Sequence, residues 1–226
     1  MNRHVLVLCI GLIFVMCQST QCDKDVIAPC AAYIQDTVLL SASVENSSPT
    51  YHLYDTIWIN SDISDNLTPL SSSGIFTANL DQLYLNVQPF SISTSSSLPE
   101  LQYANIEFNV AVKEGMLQTS AYAGYNFLYK RTTAHNTLQI GFIPGRAGPY
   151  IIFCTNNRYY NNGMAAFYRP NDQCTTYWGI CSFPETQQNK NYWDVLGVSS
   201  LSLSPNYGNI IISKNMRSYF LFNVIP

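Results

Sequence analysis

Beyond residue 30, apolar and polar positions alternate over short runs broken by turn residues. Asn105 to Lys113 is the most regular: Ile106, Phe108, Val110 and Val112 fall on one side, and Asn105, Glu107, Asn109 and Ala111 on the other. That period of two predicts a half-buried strand. Asp36 to Val44, Tyr54 to Asn60, Gly74 to Val87, Tyr122 to Lys130, Thr137 to Ile143 and Tyr150 to Cys154 read as further strands. Ser218 to Ile225 reads as a last strand that closes a sheet. Asn46-Ser47-Ser48-Pro49, Ser71 to Gly74, Ser93 to Pro99, Pro144 to Pro149 and Asn161-Asn162-Gly163 supply the turns between them. Many short strands with such breaks predict an all-β fold, an antiparallel β-sandwich of immunoglobulin-like or jelly-roll-like type. Helix signals are confined to Thr186 to Leu196, ahead of Gly197, so at most one or two short helices are expected. The strands form one domain over 33–226, and any division of it falls in the serine-rich stretch 91–99.

The first residues break this pattern. Arg3 is followed by Val5 to Met16, twelve apolar residues without interruption, and then by small and polar residues to Cys22. A short basic start, an apolar stretch and a polar exit describe a secretory signal over 1–21. Twelve residues rise only about 18 Å as a helix, too little for a hydrocarbon core about 30 Å thick. The expectation is therefore export rather than a transmembrane anchor, with 22–32 as a tether to the sandwich.

Composition narrows the function classes. Of 226 residues, 47% are apolar and 11% charged, and the formal charge is −3. Soluble globular chains carry roughly 25% charged residues. A disordered acidic tail is excluded by the apolar content, and a nucleic-acid partner by the lack of a basic surplus. The charges are unevenly spread: residues 23–112 hold ten acids and one lysine, and residues 113–226 hold nine bases and four acids. In one sandwich the strands intermix and these opposite charges compensate.

Seven cysteines are present. Cys9 and Cys17 fall in the exported leader. If Cys22 is acylated as the first mature residue, Cys30, Cys154, Cys174 and Cys181 remain, an even number that allows disulfides in an oxidising compartment. Cys17 is the alternative acylation position. No cysteine spacing matches a zinc site, and no metal or cofactor is expected.

Catalytic patterns are missing: the chain has no G-x-S-x-G, H-E-x-x-H or G-x-x-x-x-G-K motif. His52 and His135 are the histidines beyond the leader, and both read as polar loop residues. Asp62 to Asn66 could offer oxygens to calcium but lacks the EF-hand pattern, so a self-bonded Asp/Asn turn is expected there. A hydrolase would have to bring Glu185 or Asp172 together with a second acid, such as Asp194, or with His135 in one cleft. The richest stretch for binding is Asn156 to Trp193. Its Tyr159, Tyr160, Tyr168, Arg169, Tyr177, Trp178, Tyr192 and Trp193 sit among asparagines and glutamines, a mixture suited to sugar rings or protein contacts. The competing reading puts about half of these aromatics in the core.

The start Cys22-Asp23-Lys24-Asp25, with Asp55-Thr56-Ile57-Trp58-Ile59 and the Asp62/Asp65 segment, resembles uncharacterised exported lipoproteins of Bacteroidetes type over about the first 65 residues. Asp36-Thr37-Val38 and Asp55-Thr56-Ile57 also resemble the O-glycosylation acceptor of such proteins, while Asn46 and Asn66 fit the eukaryotic N-glycosylation pattern. The resemblance implies a lipid-anchored envelope protein, held at the outer or plasma membrane, with a β-sandwich domain. The functional expectation is a non-enzymatic binding or structural role toward a glycan or protein. An extracytoplasmic hydrolase of glycans or peptides is the alternative.

Overall fold

The structure is a computed structural model. It describes residues 34–71, 74–78, 80–93, 99–121, 124–157, 166–169, 172–183, 200–202, 211–213, 216 and 218–226. Among these, the regular elements are strands and one short 3-10 turn, Asn105–Glu107. The all-β sandwich expected from the sequence is what the chain forms.

One layer is a seven-stranded sheet. Its order is β10 (Met116–Ala121), β11 (Gly124–Leu128), β7 (Tyr84–Ser93), β14 (Gly148–Asn157), β19 (Tyr219–Ile225) and β3 (Thr50–His52), with β8 (Glu100–Tyr103) also paired to β7. The facing layer runs β12 (Lys130–Arg131), β13 (His135–Pro144), β4 (Ile57–Ser64) and β2 (Ser43–Val44), with β9 (Phe108–Glu114) on the remaining length of β13. A third sheet pairs β1 (Ile34–Ser41) in parallel with β16 (Asp172–Ser182), which in turn pairs antiparallel with β15 (Ala166–Arg169). Two ribbons complete the set: β5 (Asn66–Leu67) with β6 (Phe76–Thr77), and β17 (Ser200–Ser202) with β18 (Ile211–Ser213). Pairing is antiparallel except between β1 and β16 and between β19 and β3. Tyr33–Pro226 clusters as one compact unit. Ser91, Ile92 and Ser93 belong to β7 and pair with Gln102, Leu101 and Glu100 of β8.

Alternation explains why these segments pack as they do. On β4, Ile57, Ile59 and Ile63 turn inward, and on β13 so do Leu138, Ile140 and Phe142. They meet Leu85 and Val87 of β7, Ile152 and Cys154 of β14, and Phe220 and Phe222 of β19 across the sandwich. Phe142 sits in edge contact with Phe108, Tyr125 and Phe127, at ring-centroid distances of 6.1, 5.7 and 6.2 Å. These rings fill the space that side chains from two twisted sheets leave between them.

The strand β19 is buried on both faces, which accounts for its unbroken apolar run. Phe220 and Phe222 enter the main core, while Tyr219 and Leu221 join Phe90, Ile92, Leu101, Ile151, Leu201 and Ile212 in a second cluster. That cluster includes residues of the ribbon β17–β18, which covers the outer face of the seven-stranded sheet there. The strand β19 lies between β14 and β3 in the seven-stranded sheet. Pro89 lies inside β7 without breaking a ladder. Its missing N–H falls where the neighbour on that side changes from β11 to β8, and its carbonyl still accepts from the Ala104 N–H at 3.0 Å.

The segment with the clearest alternation departs from its expectation. Asn105–Glu107 is a 3-10 turn, and only Phe108–Glu114 is strand. Ile106 is 90% exposed and Val112 37% exposed, whereas Phe108 is buried and Val110 packs against the core. The turn is fixed by Glu107, whose carboxylate accepts from the Tyr150 hydroxyl at 2.6 Å and from Arg146 at 3.3 Å. The Gly145 N–H also donates to the Glu107 carbonyl at 2.8 Å. These long-range bonds override the local period.

The opposite charges of the two halves of the chain do meet. Arg131 holds Asp65 in a two-pronged ion pair and reaches Asp81 at 3.5 Å, and Arg146 meets Glu107. Among the described residues no helix is long and apolar enough to cross a membrane.

Candidate functional site

The outer face of the five-stranded sheet carries the polar half of its alternation. Trp58, Asn60 and Asp62 of β4 lie beside Gly141, Gln139 and Thr137 of β13, paired 58 with 141, 60 with 139 and 62 with 137. Trp58 needs Gly141 as its neighbour. A β-carbon there would come within 2.9 Å of the indole and 2.6 Å of the Thr56 methyl. The Lys113 ammonium caps the indole at 3.9 Å, a cation–π contact.

Beyond Asn60 this face deepens into a cleft of about 770 Å³, where β2 leaves the edge of β4 and the ends of β1 and β16 approach. Its walls are Ser41, Ser43, Asn60, Asp62, Glu114, Thr137, Gln139 and Ser182, and Leu39, Ala42, Leu138 and Phe183 supply apolar surface. Ser61 closes the wall between the layers: its hydroxyl donates to the Ser41 carbonyl at 2.7 Å and lies 3.0 Å from the Tyr129 hydroxyl. The Ala42 N–H donates to the Ser182 carbonyl at 3.0 Å, tying β1 and β16 together at the rim.

Hydroxyls, two side-chain amides and two carboxylates thus converge, with no lysine or arginine among the lining residues. Such a cleft can accept and donate hydrogen bonds to a neutral polar ligand and offers an anion no counter-charge. Its carboxylates have flanking partners: Asp62 lies 2.8 Å from His135 Nδ1, and Glu114 lies 3.8 Å from the Lys130 ammonium. Both pairs are open to water, with the Asp62 side chain 65% exposed. Such exposed pairs orient groups more than they stabilise the fold.

Several residues singled out in the sequence fall elsewhere. Tyr177 is in the core, its ring 4.4 Å from that of Phe76, so its face is spent on packing. Trp178, its neighbour on β16, is half-buried and pairs with Thr37 of β1. Tyr168 and Arg169 lie on β15, where Arg169 pairs with Asp172, but their side chains lie outside the described residues. Tyr159, Tyr160, Tyr192 and Trp193 also lie outside them, as do Cys17, Cys22, Cys30, Glu185, Asp194 and the candidate helix Thr186 to Leu196. The side chains of Asp172 and Cys174 do as well, although both residues sit on β16.

Asp62 is not part of a turn. It belongs to β4 and faces the cleft; the chain bends at Asp65, before β5, where the Ser64 hydroxyl accepts from the Asn66 N–H at 3.2 Å. Arg131 pairs with both carboxylate oxygens of Asp65, and His135 meets one oxygen of Asp62. Among the described residues no group of three or more His, Cys, Asp or Glu side chains could hold a metal ion. His52 closes β3, its Nδ1 3.2 Å from the Pro226 backbone oxygen. Cys154 and Cys181 are both buried and both free thiols.

No family model and no curated protein matches the chain. Among solved structures it is similar to the crystal structure of the CupB6 tip adhesin from Pseudomonas aeruginosa, at 17% sequence identity and a TM-score of 0.26. The match covers 68% of this chain and 43% of that one, so the chain spans less than half the length of that structure. A likeness of this size assigns no role to any residue of the cleft.

Proposed function

We propose that this chain is an exported, lipid-anchored envelope protein whose sandwich binds a neutral, hydroxyl-rich ligand, a glycan, without transforming it. The observation that carries the reading is the chemistry of the cleft. Ser41, Ser43, Thr137 and Ser182 offer hydroxyls, Asn60 and Gln139 offer amides, and Asp62 and Glu114 offer acceptors for sugar hydroxyls. Placing them on paired strands holds them in register before a ligand arrives, which lowers the cost of binding. The signal-like segment over 1–21, with its apolar run at 5–16, and Cys22 support export and anchoring.

Chemistry is the weaker reading. The two carboxylates of the cleft, Asp62 and Glu114, sit in water-exposed ion pairs with His135 and Lys130. The intact mass of the mature chain from its native membrane tests the placement. A chain starting at Cys22 with added acyl mass is expected; an unacylated chain removes the lipid anchor from the account.

A further inference from the structure

Cys154 lies on β14 and Cys181 near the end of β16, and they belong to different sheets. Both are fully buried in the main core, at 0% and 1% exposure. One residue holds both backbones. The Cys154 N–H donates to the Ser218 carbonyl at 2.7 Å, and the Ser218 hydroxyl donates to the Cys181 carbonyl at 2.9 Å. Both side chains belong to the same buried cluster, where β14 and β16 pack against each other. A pair of thiols that the cell keeps reduced needs no such meeting, since a free buried cysteine packs as any small apolar residue does.

We propose that Cys154 and Cys181 are joined as a disulfide when the chain folds outside the cytoplasm, stapling the sheet of β1, β16 and β15 to the seven-stranded sheet. The oxidant is a disulfide, either of glutathione or of a protein thiol oxidase. One cysteine thiolate attacks it, forming a mixed disulfide and releasing one oxidant thiol. The second cysteine thiolate then attacks the sulfur of the first, closing the 154–181 bond and releasing the other oxidant thiol. Two protons leave the cysteines and two electrons pass to the oxidant, which ends as two thiols. The exchange takes place before the core closes. Once the chain is folded, burial and the contact with Cys181 push the Cys154 thiol well above the usual thiol range, and the reactive thiolate becomes scarce. The same burial shields the finished bond from reductants.

The test is refolding of the full chain in a buffer of reduced and oxidised glutathione and, in parallel, under a strong reductant. Each product is denatured, alkylated and mapped by peptide mass spectrometry. The expected product of the glutathione buffer has lost about 2 Da for the two hydrogens of this pair. Its Cys154 and Cys181 resist alkylation until reduction and appear in one linked peptide pair. It also melts at a higher temperature than the reduced product, a difference that disappears in C154A/C181A. Alkylation of both cysteines, a persistent glutathione adduct on either, or linkage of either to Cys30 or Cys174 overturns the proposal. The peptide map decides the matter even if the double variant does not fold.

Discussion

An alanine series across 106, 108 and 112 separates the observed fold from simple alternation. Alternation gives Ile106, Phe108 and Val112 the same inward face and hence comparable costs. The structure does not. Phe108 is 5% exposed and packs edge-on against Phe142 and Tyr150, with ring centroids 6.1 and 5.0 Å away. Truncating such a ring costs about 3–5 kcal/mol, the lost transfer energy plus the cavity left between the sheets. Ile106 is 90% exposed, so its truncation falls within about 0.5 kcal/mol of neutral. Val112 is half out of the core and costs less than about 1 kcal/mol. Urea unfolding followed by tryptophan fluorescence measures all three. With a slope near 2 kcal/mol per molar, Phe108→Ala lowers the midpoint by roughly 2 M, while Ile106→Ala leaves it in place. Equal losses at 106 and 108 refute the 3-10 turn and restore a continuous strand from Asn105.

Two further outcomes follow from single side chains. Burial, with the hydrogen bond to Glu107, pushes the Tyr150 phenol well above its ordinary range, so the folded state keeps its proton when the unfolded chain has lost it. Stability from this group is therefore complete below about pH 10 and falls as pH rises through that value. Tyr150→Phe should flatten the alkaline decline in melting temperature, and an unchanged slope would count against the buried Tyr150–Glu107 contact. Gly141→Val should destabilise by about 1–3 kcal/mol, because the added carbons force the Trp58 indole aside. A shift in the near-ultraviolet circular dichroism of the folded variant reports that displacement, and an unperturbed spectrum with unchanged stability argues against the stacking.

The sandwich was legible in the sequence because its inner positions recur with period two on β4 and β13 and run unbroken on β19. What alternation could not show was Glu107. Its turn depends on Tyr150 and Arg146, some forty residues away, and no local pattern encodes that pairing. The cleft was hidden for the same reason. Asn60, Glu114, Thr137 and Ser182 reach it from four strands far apart in the chain. The signal that was available is the outward set Trp58, Asn60 and Asp62, which an extended reading of the Tyr54 to Asn60 strand would have put on one face. Reading Asp62 as a turn residue ended that strand too early. The aromatic-rich stretch drew attention by composition, yet composition does not tell packing from display, and Tyr177 went to the core.

The account turns on whether the cleft binds. The most direct measurement is titration of the folded sandwich with neutral oligosaccharides, followed by chemical-shift changes in its backbone amides. Shifts clustered at Ser43, Asn60, Asp62, Thr137 and Gln139, abolished in a folded D62N/Q139A variant, are the predicted result. Saturable binding that leaves these amides unmoved, or no binding across neutral oligosaccharides while a ligand of another class binds elsewhere, contradicts it.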